Sequence, residues 1–174
     1  MELNKNTEKS PVYKRFLKIY EDFTICVNIG DAEYVLAEHP SERHTLYIYP
    51  IKGKAKLGHI FQSDYVTIDS NENKLLNIKE YLNEVVVFQT ETDFYFIGFN
   101  TLNKNIDWDG RLITNEESLL VIDKPNSYFV CLNGKVTIND KQFKRFDYAS
   151  VDVGKEYSIQ INENSALGLF SKLG

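Results

Sequence analysis

An all-β fold is what this 174-residue sequence predicts, and three observations carry it. Short apolar segments alternate in strand fashion from Phe23 to the end, turn residues punctuate them, and one hairpin pattern is written twice. "YIYPIKGKAKL" (residues 47–57) and "YFVCLNGKVTI" (128–138) hold Tyr, Gly and Lys in the same places, with Gly53 and Gly134 offset by 81 residues. Two further segments extend the match: "KLLNIKEY" (74–81) lies over "KQFKRFDY" (141–148), and "FYFIGF" (94–99) over "SALGLF" (165–170). Two diverged copies of one β unit follow, the first carrying 14 extra residues around "GHIFQSDYVTIDSN". Insertions of that size between strands are tolerated at small entropic cost.

Taken in order, residues 1–22 read as an arm and a short helix. Ser10 is placed as an N-cap and Pro11 at the first helical position, with Val12, Tyr13, Phe16, Leu17 and Tyr20 on one face of "SPVYKRFLKIYEDF". "MELNKNTEK" ahead of it is polar and predicts a mobile end. The first lobe spans 23–99, with strands expected in "FTICVNIG", "AEYVLAEH", "TLYIYPI", "KAKLGHIF", "DYVTID", "LLNIKEY", "EVVVFQT" and "FYFIGF". Residues 100–111, "NTLNKNIDWDGR", read as a polar connector holding the only Trp. The second lobe, 112–174, resumes the strands at "SLLVI" and ends on "ALGLF".

Composition excludes several classes. A 43% hydrophobic chain buries a proper core, and its 13% aromatic content is almost wholly Tyr and Phe, which suit a pleated surface. A net charge of −5, with single lysines spread along the chain, leaves no basic patch for a nucleic acid. No apolar run approaches the ~18 residues of a membrane span, and the N-terminus lacks the apolar segment of a signal peptide. Cys26 and Cys131 have no metal-ligand spacing and read as reduced core thiols. A chain that is cytoplasmic where it is made is expected. Abundant Lys, Asn and Ile with scarce Arg point to an A+T-rich genome, as in some bacteria and many of their viruses; a phage or viral source would place the protein in a virion.

"CLNGKVTINDKQFKRFDYASVDVGKEYSIQINENSALGLF" (131–170) resembles the second part of a cupin: Gly134 matches the first Gly turn, Asp147 the acidic turn, "ASVDV" the apolar strand and Gly154 the second Gly turn. Through the repeat, the resemblance extends over residues 23–173 and implies two jelly-roll or β-sandwich lobes. Cupin enzymes hold a divalent metal with two His and one Glu from a first motif and one His from a second. In the second lobe those positions fall on Leu120, Ile122, Ser127 and Tyr157, so the resemblance implies no metal and no cofactor there. In the first lobe they fall on His39, Ser41 and Leu46, with no His in "YLNEVVVF". A non-standard set of His39, His44 and His59 is the metal-binding alternative.

Two functions are compatible with these residues. The first is a non-catalytic binding or assembly component, a structural protein that associates with itself or with a protein partner, as a homo-oligomer in the simplest case. Its binding residues would be Phe16 and Leu17 on the helix face, and Trp108 with Arg111 in "DWDGR", either facing a small-molecule ligand or anchoring an interface, the other reading of Trp108 being a structural one, a plug at the join between the lobes. The second is a metal-independent enzyme or small-ligand binder of the sugar-nucleotide isomerase or epimerase kind, with His44, Glu42 and Tyr47 as acid and base in the barrel. No nucleophile elbow, Walker loop, HExxH helix or dinucleotide fingerprint occurs, which leans the reading away from an enzyme.

Overall fold

The computed structural model describes Met1 and residues 15–19, 23–28, 32–36, 44–59, 65–79, 86–90, 92–101 and 105–174. The chain divides into two compact units, Lys9–Ile106, and Asp107–Gly174 together with Met1–Glu8. Among the described residues the only helical segments are single turns, such as the 3-10 turn Ser70–Glu72 capped by the Asp69 carboxylate.

The N-terminal unit holds β1 (Arg15–Ile19), β2 (Phe23–Asn28), β3 (Ala32–Leu36), β4 (His44–Lys52), β5 (Lys54–His59), β6 (Val66–Asp69), β7 (Leu76–Asn77), β8 (Val86–Thr90) and β9 (Phe94–Thr101). They form two antiparallel sheets, β1-β2-β9-β4-β7 and β3-β8-β5-β6. Ile48, Phe94 and Phe96 of the first sheet pack with Ala55, Leu57 and Ile68 of the second, so the core lies between the two. The C-terminal unit holds β10 (Asp107–Ile113), β11 (Leu119–Val121), β12 (Ser127–Asn133), β13 (Lys135–Ile138), β14 (Lys141–Lys144), β15 (Tyr148–Val151), β16 (Glu156–Ile161) and β17 (Ala166–Leu173). Its sheets are β10-β17-β12-β15 and β11-β16-β13-β14.

Strand for strand these orders are the same. β2, β9, β4 and β7 correspond to β10, β17, β12 and β15, and β3, β8, β5 and β6 to β11, β16, β13 and β14. The register agrees in detail: Tyr47 stands opposite Phe99, and its counterpart Tyr128 opposite Phe170. An irregularity interrupts both pairings just before the Gly turn, between Pro50 and Lys52 in one unit and Cys131 and Asn133 in the other. The duplication read from the sequence is therefore a duplication of architecture.

One part of that alignment is corrected. "KQFK" forms β14, whose counterpart is β6 and not "KLLN": Lys135 pairs with Lys144 as Lys54 pairs with Asp69. β7 corresponds instead to β15, because Leu76 faces Ile48 as Ala149 faces Phe129. The offset between the units then falls steadily, from 87 (Phe23 to Gly110) through 81 (Gly53 to Gly134), 75 (Asp69 to Lys144) and 73 (Leu76 to Ala149) to 71 (Phe99 to Phe170). The extra length of the first unit is spread over several connections rather than lodged in one insertion of 14 residues. Similar Lys-rich alternation in neighbouring strands made the wrong pairing look acceptable; only cross-strand partners separate them.

Two element assignments also change. Within the stretch expected to be helical, Arg15–Ile19 form a strand, paired from Arg15 opposite Asn28 to Ile19 opposite Thr24. Five residues of "RFLKI" fit either period, and a helix this short has a costly nucleus, whereas the edge of β2 supplies ready backbone partners. The proposed cap Ser10 and residues 11–14 and 20–22 lie outside the described residues, as do 2–9 of the polar end. Met1 itself is half-buried and packs against the C-terminal core, where its carbonyl accepts a 2.7 Å bond from Lys141 Nζ. The second change concerns the connector: Asp107–Ile113 form β10, paired along its whole length with β17. The carboxylates flanking Trp108 disguised an alternation in which Trp108, Gly110 and Leu112 share one face.

The sheets that hold β4 and β12 carry buried side chains on both faces. In β12, Phe129 and Cys131 join the core, while Val130 and Leu132, pointing the other way, are equally buried. The run "YFVCL" is continuous because neither face meets water, as expected for a strand covered on two sides.

Candidate functional site

Three of the four positions at which the cupin resemblance places metal ligands in the C-terminal unit, Leu120, Ile122 and Tyr157, gather at its hydrophobic core. Register sets Leu120 of β11 opposite Tyr157 of β16, and Ile122 follows β11 with its N–H on the Lys155 carbonyl at 3.1 Å. Ile122 and Tyr157 are both 2% exposed and belong to the hydrophobic core, with Leu120 packed against it. Phe129 meets the Tyr157 ring edge-on, 5.6 Å between centroids at 86°. The phenol oxygen of Tyr157 accepts a 3.0 Å bond from the Asp152 N–H. Ser127, where a cupin would hold its Glu, gives its hydroxyl proton to the Lys124 carbonyl at 2.8 Å and lies 2.7 Å from the Ser171 hydroxyl. Its single proton being so engaged, Ser171 is the donor between the two hydroxyls. Two aliphatic side chains, a core phenol and a paired hydroxyl offer no donor set for a divalent ion. These residues do not fit a metal.

The acidic turn has a structural task. Asp147 is buried, and its carboxylate accepts the Lys144 N–H at 2.8 Å while its own N–H bonds to the Lys144 carbonyl at 2.9 Å. Its carbonyl receives the Cys131 N–H at 2.9 Å, tying β12 to the turn. Asp147 also lies close enough to Cys131 to add to an effect dominated by burial, which pushes that thiol up to about 12. Cys131 is a free, buried, protonated thiol.

In the N-terminal unit, His44 opens β4 and His59 closes β5, both on the side of the hairpin away from Gly53. His39 and Glu42 lie outside the described residues. Leu46, at the Glu-ligand position, sits inside an irregularity of β4: Thr45 faces Asn100 but Tyr47 already faces Phe99. That irregularity places Tyr47 two register positions from His44, which faces Thr101, instead of three. Tyr47 is 8% exposed, its ring lies 5.4 Å from Lys79 Nζ, and it shares the sheet face of Phe99, opposite to its neighbour Ile48 in the core. Tyr47 thus stands on the outer side of the sheet, away from the interior the sequence reading assigned to it. Nearby Tyr49 is buried on the same face, and burial pushes its phenol up to about 12. Among the described residues no three His, Cys, Asp or Glu side chains gather as a metal-holding group.

Of the remaining residues singled out from sequence, Phe16 and Leu17 stand on β1, opposite Val27 and Cys26. Trp108 is buried, 6.1 Å from the Tyr128 ring. Arg111 is half-exposed and its Nη1 holds Glu117 through both carboxylate oxygens, at 2.9 and 3.0 Å. Glu117 also accepts the Thr114 N–H at 2.9 Å, and that bond first, with the Arg111 contacts, holds its carboxyl below the usual carboxylate range. On the same face of β10, Asp109 pairs with Lys124. Sequence reasoning read Glu117 with Glu116 as a solvated turn and missed its Arg111 partner, Lys124 and the Ser127–Ser171 pair, since each partner lies across a turn or a sheet. A period-two reading of "DWDGRLI" was the available signal for Asp109 and Arg111 as strand neighbours.

Two sandwich units of one strand order, joined in tandem, give the chain a two-lobed cupin-like fold. No family model and no curated protein matches the sequence. The fold nevertheless matches solved structures at low identity. The protein YhaK from Escherichia coli aligns with a TM-score of 0.61 at 7% identity, over 98% of this chain and 92% of that one. The bacterial pirin YhhW from Escherichia coli, in complex with nickel(II), aligns at 0.62 and 9%, over 97% of each chain. HutD from Pseudomonas fluorescens aligns at 0.53 and 10%, over 99% and 89%. At such identity the likeness is one of fold. No helix among the described residues is long and apolar enough to cross a membrane.

Proposed function

We propose that this chain is a non-catalytic cupin-like module that works through binding or assembly. The observation that carries this reading is the filled centre of the C-terminal unit, where Leu120, Ile122 and Tyr157 occupy ligand positions as core. A cupin interior that performs chemistry needs room and lone pairs; in the C-terminal unit Ile122, Phe129, Val136 and Ile138 pack as buried core around Tyr157, which supports the reading. Metal titration of the tag-free full chain with nickel(II), manganese(II), iron(II) and zinc(II), followed by elemental analysis, tests it. The expected outcome is no stoichiometric retention. Retention near one ion per chain, lost on His39→Ala or His44→Ala, would overturn the reading.

The alternative, a metal-independent isomerase or epimerase built on His44, Glu42 and Tyr47, draws on the irregularity that brings Tyr47 into step with His44 along β9. Against it stands the position of Tyr47 on the sheet face opposite Ile48. Thermal stabilisation by nucleotide sugars that disappears in His44→Ala would favour this alternative, and its absence across a panel would remove it.

A further inference from the structure

β11 is the last strand of its sheet in the order β11-β16-β13-β14, a place where exposed side chains are ordinarily charged. It carries instead Leu119 and Val121, 61% and 55% exposed, with Leu120 between them packed against the core. The turn after β15 brings a third apolar side chain close: the Gly154 N–H bonds to the Ile122 carbonyl at 2.7 Å, and Val153 ahead of it is 53% exposed. Among the described residues of the C-terminal unit four large apolar side chains are exposed, and three of them gather at β11. Single exposed apolar residues are ordinary, whereas a cluster rimmed by polar groups marks an interaction surface. The rim here is acidic. Register sets Glu156 opposite Val121 on the same face of the sheet, and Asp123, also exposed, continues the line of Leu119 and Val121 beyond buried Ile122. The neighbouring cations are engaged elsewhere, Lys155 with Asp152 at 2.6 Å and Lys124 with Asp109.

The charge of that rim selects the occupant. Two copies of the chain meeting face to face would set Asp123 and Glu156 of each against those of the other, and an anionic lipid surface or a nucleic acid would be repelled. Resting on the reading of the chain as a binding module, we propose that Leu119 and Val121 dock an extended segment of a partner protein, one with two apolar side chains two residues apart and flanked by lysine or arginine. Side chains of an extended segment repeat on one face every second residue, which is the spacing of Leu119, Val121 and Asp123. The apolar pair of the segment covers Leu119, Val121 and Val153, and a flanking cation lies against Asp123 and Glu156. A cation at either end serves this purpose whichever way the segment runs. Burial of the apolar side chains supplies the attraction, and the charges choose the partner.

Fluorescence anisotropy with the full chain tests this, using a labelled heptapeptide of sequence Lys-Ser-Val-Ser-Val-Ser-Lys. The peptide is expected to bind, and binding should weaken about tenfold or more in Leu119→Ser with Val121→Ser, and likewise in Asp123→Lys with Glu156→Lys. The charge-reversed chain should instead prefer the same peptide with glutamate ends. All four positions face solvent, so the variants should melt as wild type does, and if one pair fails to fold the other carries the test. The proposal is overturned if the peptide fails to bind wild type at about millimolar concentration, if a peptide with serine in place of valine binds as tightly, or if either folded pair of changes leaves the affinity unaltered. A wild-type dimer in sedimentation equilibrium that Leu119→Ser with Val121→Ser dissolves would give the face to a second copy and overturn it too. None of these results bears on metal retention, so this proposal and the module reading fall separately.

Discussion

Gly53 and Gly134 hold the same turn in the two units, with φ of +87° and +66°. A Cβ on Gly53 would lie 2.1 Å from the Asp93 carbonyl oxygen, and one on Gly134 2.1 Å from the Ser165 hydroxyl. Gly154 also has a positive φ, +81°, but open space around it. Replacing Gly154 by Ala should cost about 1 kcal/mol, the strain of a left-handed residue alone. Gly53→Ala should cost the most, since a backbone carbonyl cannot turn aside. Gly134→Ala should fall between, because Ser165 can rotate but then gives up its 2.9 Å bond from the Lys135 N–H. Urea unfolding of the three variants checks the order, and equal losses at all three would contradict it.

The paired hydroxyls of Ser127 and Ser171 predict a non-additive cycle. Either single change to Ala leaves a buried hydroxyl short of a partner and should cost about 1–2 kcal/mol. The double variant should cost less than the sum, by about 0.5 kcal/mol or more. Chemical denaturation gives all four values; strict additivity would mean that the 2.7 Å contact contributes nothing.

Glu117 predicts a pH dependence of known sign. Its carboxyl is held below the ordinary value by the Thr114 N–H and Arg111, so the folded state favours the ionised form. That contribution is present above the ordinary carboxylate range and is lost as pH falls through the depressed folded value. Glu117→Gln should cost about 0.5–1 kcal/mol at pH 7, modest because the side chain is partly exposed. The gap between variant and wild type should close in acid, as melting curves at stepped pH will show. A gap that widens in acid would reverse the assignment.

Cys131 should resist alkylation in the native state. Burial raises its thiol from 9.0 to about 12, so almost no thiolate exists at neutral pH. Iodoacetamide labelling mapped by mass spectrometry is expected to modify Cys131 only on unfolding. The raised value also favours the folded state below pH 9, and that part is lost between about pH 9 and 12. Cys131→Ala should flatten that alkaline decline, though it lowers stability overall through the packing of the buried sulfur it removes.

Several features were legible in the chain because they depend on neighbours in sequence. Alternation announced most of the strands, and a Gly at the centre of each "KGK" or "NGK" turn announced a backbone conformation that other residues resist. The repeat followed from those two signals, and residue chemistry alone removed the metal ligands, since Leu120 and Ile122 cannot coordinate an ion wherever they lie. What needed tertiary structure was pairing. "RFLKI" carries no local preference strong enough to choose helix or strand, and the backbone groups along β2 decided for strand. Tyr47 read as facing the barrel interior, and only the irregularity at Leu46 and the register with β9 place it on the outer face. "DWDGRLI" is polar enough to pass for a loop until β17 takes up its hydrogen bonds. Local sequence encodes what a segment's own φ and ψ and side-chain period demand. Which edge satisfies its N–H and C=O groups is settled by strands distant in the chain, and that satisfaction is a property of the assembled sheet.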